Sequence, residues 1–229
     1  DVMVSIITLK YPKKSHRKVV RFPEESSDLA EFFGIMMGDG GINNPWQANI
    51  SLNSNSDAEY AIYIAALCER LFGIKPSSFT RKTKNNLVLK LTSTSIVNFL
   101  VKKGLNRGNK LKAGLKIPQW ILAESSYRKA CVRGLVDTDG CLYIHKHKSK
   151  YGKTYRNIGL NFSSYSPELI SQVADIFHEN DIVPHVNKKG NGIYLYKVSS
   201  IEKYLEIFGT SNDRIRSIYQ TWRRLIVVY

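Results

Sequence analysis

The stretches FFGIMMGDG at 32–40 and VRGLVDTDG at 132–140 decide the fold, because the second restates the first. Each is apolar, each has a glycine in its middle (Gly34, Gly134), and each closes on Asp-Gly (Asp39-Gly40, Asp139-Gly140). A glycine inside a helix costs up to about 1 kcal/mol against alanine. Its recurrence at the same place in both copies therefore points to a contact where two backbones approach closely. Gly38 follows Gly34 by four residues and Thr138 follows Gly134 by four, so each pair shares one helix face. The pattern predicts two helices packed at Gly34, Gly38, Gly134 and Thr138. Asp28 with Glu31 makes a capping box for the first helix, and Gly40 with Gly41 are expected to end it in the left-handed conformation. Gly140 is expected to end the second.

Outward from these helices the chain repeats an order of elements. A strand over 46–53, a helix over 57–72, two strands at 78–82 and 87–92 around Asn85-Asn86, and a short helix over 94–103 follow the first copy. Strands at 141–147 and 155–162, a helix from Ser166-Pro167 to about 180, a hairpin over 183–198 and a helix capped by Ser199 with Glu202 follow the second. A terminal helix over 211–226 completes the chain. ISLNSNSDAE at 50–59 answers IGLNFSSYSPE at 158–168, which places Asn53 opposite Asn161. Such a repeat fits two copies of one small α+β unit related by a pseudo-two-fold axis. The expected division is a basic extension at 1–25, a first unit at 26–118 and a second at 119–229.

The 229 residues hold Lys+Arg 34 against Asp+Glu 19, a net charge of +15. The segments 70–119, 140–167 and 182–201 are free of acidic residues. That segregation predicts a positive face suited to a polyanion, with nucleic acid favoured over a membrane surface. No run is long enough to span a membrane, and the opening segment lacks a secretory cleavage pattern. Three cysteines, Cys68, Cys131 and Cys141, make neither a disulfide framework nor a zinc cluster. These features suggest an intracellular protein, cytoplasmic or organellar. His145 and His147 share a strand face but have no companion ligand for a metal. Trp46, Trp120 and Trp222 are read as packing residues.

Asp39 and Asp139 carry the chemistry. A carboxylate at a helix C-terminus opposes the helix dipole, and two such termini side by side repel each other. Divalent cations between them turn that penalty into binding, and oxygen-only ligands favour Mg²⁺. A metal site beside a positive surface suits phosphodiester hydrolysis. Two related carboxylates provide one site for each antiparallel strand of a duplex, while strand ribbons enter its grooves.

The paired motifs resemble those of single-chain LAGLIDADG homing endonucleases. The resemblance implies a fold of duplicated αββαββα units, with the motif helices packed centrally above a saddle of antiparallel sheets on DNA. It implies a monomeric, Mg²⁺-dependent, site-specific nuclease cutting both strands of a long double-stranded DNA target. Asp39 and Asp139 fall on the metal-binding acidic positions, and Gly34 and Gly134 on the helix contact. Asp137, where the first copy has Met37, is read as structural or secondary. Asn53 and Asn161 either order water or cap the following helix. Lys110 matches a basic position that stabilises developing charge. Arg214 is its counterpart, although an arginine is a poor proton donor. Arg81, Lys82, Lys84, Lys146, Lys148, Arg156 and Lys188 are the candidate DNA contacts. An RNA maturase assisting splicing of its own intron RNA is the alternative, because the same scaffold and charge serve it.

Overall fold

The computed structural model describes residues 19–81, 85–148 and 150–227. Most of the 1–25 extension, together with Lys82 and Lys84, lies outside the described residues. The first half runs α1 (Ser27–Gly38), β1 (Gly40–Asn44), β2 (Gln47–Asn53), α2 (Ala58–Phe72), β3 (Ser77–Arg81), β4 (Asn86–Thr92) and α3 (Thr94–Lys102). A short α4 (Gln119–Leu122) leads into the second half. There α5 (Ser125–Asp139), β5 (Gly140–Lys148), β6 (Thr154–Ser163), α6 (Pro167–Glu179), β7 (His185–Val186), β8 (Gly192–Leu195) and α7 (Val198–Ile207) repeat the order before α8 (Asp213–Val227). Each half has a four-stranded antiparallel sheet, ordered β1-β2-β4-β3 and β5-β6-β8-β7. This is the expected α+β architecture of duplicated αββαββα units.

Alternation decides which face of each sheet is buried. Ala48, Ile50, Leu52, Leu89 and Leu91 turn inward in the first sheet; Leu142, Ile158, Leu160, Phe162, Ile193 and Leu195 do so in the second. Both sets join a single core with the apolar residues of α1 and α5. The two motif helices pack against each other at the glycines. A Cβ on Gly34 would overlap the Cys131 carbonyl and come within 3.0 Å of Leu135 N; one on Gly134 would overlap the Glu31 carbonyl and come within 2.9 Å of Ile35 N. Gly38 faces the Thr138 side chain in the same way. Gly34, Gly38, Gly134 and Thr138 all lie where the two helices meet, together with Glu31, Ile35, Cys131 and Leu135.

Local details depart from the sequence reading. Ser26, not Asp28, caps α1 by accepting from Leu29 N, and Glu31 is fully buried rather than part of a capping box. β1, beginning immediately after Asp39, was not anticipated. Its glycine-rich sequence carries a bulge between Gly41 and Asn44 that hides the usual alternation. Gly40 and Gly41 do not take the left-handed conformation. Gly40 is required by space instead, since a Cβ there would meet Met36 Cα at 2.5 Å, and Gly140 meets Val136 in the same manner. Asn85 does adopt a positive φ of 45° at the predicted β3–β4 turn. The α7 helix begins at Val198, one residue before the expected cap at Ser199.

The halves are also tied through their loops. Asp57, at the N-cap of α2, accepts from Asn212 Nδ2 (3.0 Å), just before α8, and from Arg214 Nε (3.1 Å), in the first turn of α8. Ser166, at the N-cap of α6, donates to the Leu115 carbonyl at 2.5 Å in the loop after α3. Each half thus holds the loop of the other from the same place.

Candidate active site

Because α1 and α5 cross at their glycines and run on to Asp39 and Asp139, the two carboxylates emerge together. The place a Gly38 Cβ would occupy lies 3.4 Å from Asp139 Oδ2. Asp39 is half-buried, while Asp139 reaches a solvent-accessible rim. Burial, then Asp139, then Asp57 push the Asp39 carboxyl up to about 7, with Lys110 and Arg214 opposing. Burial among the helix ends raises Asp139 as well, again opposed by Lys110. No cluster of three or more His, Cys, Asp or Glu side chains gathers among the described residues. The two neighbouring carboxylates offer the oxygen-only chemistry that a hard divalent cation prefers.

Lys110 and Arg214 occupy corresponding positions at the two helix ends. Lys110 Nζ donates to the carbonyls of Met37 (2.7 Å), Gly38 and Gly40 (3.1 Å), closing the C-terminus of α1. Burial lowers the Lys110 pKa, with Asp139 and Asp39 holding it up. Arg214 Nη2 donates to the Asp137 carbonyl at 3.3 Å, the position in α5 that matches Met37 in α1. Both cations meet helix carbonyls where the dipole is negative. Lys110 and Arg214 thus each donate to the carbonyl of the matching motif position, Met37 and Asp137.

A polar network behind the carboxylates was not legible in the sequence. Glu31 pairs with Arg133 of α5 and accepts from Ser211 Oγ at 2.7 Å. Asp137, also buried, accepts from Thr210 Oγ1 (2.5 Å) and Ser211 N (2.7 Å). Asp137 therefore anchors the loop that leads into α8, whose first turn carries Arg214. Burial raises its carboxyl to about 7 against these hydrogen bonds.

The asparagines separate. Asn53 Oδ1 accepts from Asn55 N (2.9 Å) and Ser56 N (3.2 Å), so it forms the turn before α2, the capping alternative. Gly41 pairs with Asn49 in the first sheet, and Cys141 pairs with Asn161 in the second. The spatial counterpart of Asn161 is therefore Asn49, not Asn53; the alignment of the two Leu-Asn pairs is out of step with the strands. Asn49 lines a cavity of about 610 Å³ together with Asp39, Lys110, Lys90, Gln47 and Asn86. Its Oδ1 and that of Asn86 are buried with no hydrogen-bond partner among the described residues.

Alternation also sorts the basic candidates. Lys146 pairs with Arg156, and both share the sheet face of Leu142, Ile144 and Ile158; Lys148 has the same phase. The opposite face, which carries Cys141 and Asn161 beside Asp139, presents His145, His147 and Tyr155. Lys188 is exposed in the turn after β7, and Arg81 pairs with Asn86 at the end of β3. The histidine pair gathers no third metal ligand among the described residues. Trp120 and Trp222 are packed, donating to the Lys103 and Arg156 carbonyls at 2.9 and 3.0 Å, and Trp46 stands half-exposed at a sheet end.

A family model described as the WhiA LAGLIDADG-like domain matches residues 30–110, and one described as a LAGLIDADG-like domain matches residues 126–212. One match falls on each half and includes its motif: the chain belongs to the LAGLIDADG family. No curated protein matches it in sequence. Among solved structures it is similar to the I-LtrWI LAGLIDADG homing endonuclease bound to target DNA, with TM-score 0.57, 12% identity, and coverage of 87% of this chain and 90% of that one. It is also similar to I-SmaMI bound to uncleaved DNA in the presence of calcium ions (TM-score 0.58, 10% identity, 90% and 92% covered). I-DmoI in complex with DNA and Mn gives TM-score 0.52 and 16% identity over 81% and 97%. At these identities the likeness is one of fold.

Proposed function

We propose that the protein is a site-specific, divalent-metal-dependent endonuclease that hydrolyses both strands of a long double-stranded DNA target. The observation that carries this is the placement of Asp39 and Asp139 side by side at the ends of two glycine-packed helices, immediately before the first strand of each sheet. Binding alone needs no such pair, since two neighbouring carboxylates repel phosphate as well as each other. DNA-bound relatives of the same fold support the reading.

Asp39 and Asp139 would hold Mg²⁺, which supplies Lewis-acid polarisation and an activated water when bound. The protein's own residues set the geometry. The helix contact fixes the separation of the carboxylates, and Asp137 with Asp57 fixes the start of α8, which carries Arg214. Lys110 and Arg214 bring positive charge to the two helix ends, where it stabilises charge gathering on each phosphate. Asn49 and Asn161, at matching positions beside the motif glycines, orient water or phosphate oxygens. One chain supplies both motifs, so the active form is a monomer, with units divided near residue 118, working inside the cell in the cytoplasm or an organelle. No helix of the described residues is long and apolar enough to cross a membrane.

The test is a randomised duplex library incubated with protein and Mg²⁺, with the cut ends sequenced. One recurrent cleavage site is expected, lost in Asp39→Asn and in Asp139→Asn while duplex binding persists. Uncut DNA with preferential retention of a structured intron RNA would replace this reading with the maturase.

A further inference from the structure

The solvent face of α2 is apolar where such a face usually carries charge. Ala58, Ile62 and Ala66 follow one another at four-residue spacing and are all exposed, Ile62 to 65%. They line a groove of about 300 Å³ together with Pro76, Leu87 and Leu89. β3, whose Ser78 borders the same groove, is the last strand of its sheet. It pairs with β4 alone and leaves its other edge open among the described residues. An open strand edge beside an exposed apolar stripe is a liability that folded proteins cover.

The chain itself arrives at this groove. The backbone N–H of Arg21 donates to the Phe72 carbonyl at 2.9 Å, and its guanidinium lies against Gly73, at the C-terminus of α2. Glu69, one turn earlier in α2, and Lys75, just beyond Gly73, both line the groove. Val19, two residues ahead of Arg21, is 90% exposed. Before it stand KYPKKSHRK at 10–18 and the apolar run VMVSIITL at 2–9. We infer that residues 2–9 dock in the groove along the open edge of β3. The segment 10–18 reaches about 30 Å when extended, while α2 covers about 16 Å from Glu69 to Ala58. The tether therefore spans the whole groove. Val2, Val4, Ile6 and Ile7 suit a strand position by their branched side chains. Lys10, Lys13, Lys14, Arg17 and Lys18 complement the exposed Glu59 and Glu69 of α2. A short tether also gives the run an effective concentration in the mM range, which favours it over a second chain. The groove shares no lining residue with the cavity at Asp39, so the inference stands apart from the proposed function.

Hydrogen exchange of the full chain, read by mass spectrometry, tests the docking. Residues 2–9 and β3 are expected to exchange slowly and together. Ile6→Asp combined with Ile7→Asp in the full chain should speed exchange of β3 about tenfold or more, and deletion of residues 1–9 should do the same. Ile62→Lys should act likewise, although an isoleucine facing only water would tolerate lysine. It should add nothing once residues 1–9 are gone, because the two changes remove one contact. Unprotected amides at 2–9 in the unaltered chain, or β3 exchange indifferent to all three changes, would overturn the inference. So would a full chain that sediments as a dimer and becomes a monomer on Ile62→Lys, since that result assigns the groove to a second copy.

Discussion

Gly34 and Gly134 sit where the opposite backbone already occupies the place of a Cβ. Gly34→Ala should therefore destabilise the fold by about 3 kcal/mol, the upper range for overpacking, read as a drop in denaturation midpoint with cleavage lost in step. Alanine would have helped an ordinary helix, so the sign of the change identifies the contact. The carboxylates predict a pH effect. Asp39 lies near 7 in the folded chain against 3.8 in a free carboxyl, and Asp139 and Asp137 are raised too. A raised carboxyl binds protons more tightly in the folded state, so its stability is fully present below about pH 4 and is lost as pH climbs through 7. Without metal, the melting temperature should fall from pH 5 to 7.5. The gain on adding Ca²⁺ should grow over the same interval, because the ion binds the ionised pair, and Asp39→Asn should flatten both trends. The aspartates and glycines were legible in the sequence because each opposes a local helix preference twice. Asn49 was not, because its match to Asn161 depends on strand register, and register follows from pairing rather than from neighbouring letters.

At the level of helices and strands, most elements follow from period and caps, while the misses have common causes. β1 is short, bulged and glycine-rich, so it shows no alternation to detect. Lys146, Lys148 and Arg156, chosen by charge, lie by the phase of β5 and β6 on the sheet face opposite the one that begins at Asp139. Alanine at Lys146 should accordingly alter affinity through long-range charge alone, with sequence preference unchanged in the library selection. Glu31 looked like a helix cap because it lies in the first turns; burial against Arg133 decided its role. Glu31→Ala leaves Arg133 facing the helix pair without its carboxylate and should cost about 3 kcal/mol. Replacing both residues together should cost less than the sum of the single changes, which a double-mutant cycle measures. Lys110→Met strips three carbonyls at the end of α1 of their donor. A loss of about 1–2 kcal/mol in stability is expected, together with slower cleavage in saturating Mg²⁺.

The whole molecule couples a segregated charge pattern to a single core shared by both halves. Its positive excess predicts that the dissociation constant for any long duplex rises steeply with salt, the slope on logarithmic axes counting the phosphates neutralised. The target-specific margin should change much less, because groove contacts displace few ions. Raising NaCl from 50 to about 200 mM and measuring target and random duplex in parallel separates the two contributions.

The Glu31–Arg133 pair gives the joint between the halves a polarity. In two first halves meeting through their motif helices, each Glu31 would face Phe33, which stands where α5 has Arg133, and its carboxylate would be left without a cation. A detached half is thereby discouraged from marrying its twin, and recombining halves from different ancestors requires that lock and its key travel as a set.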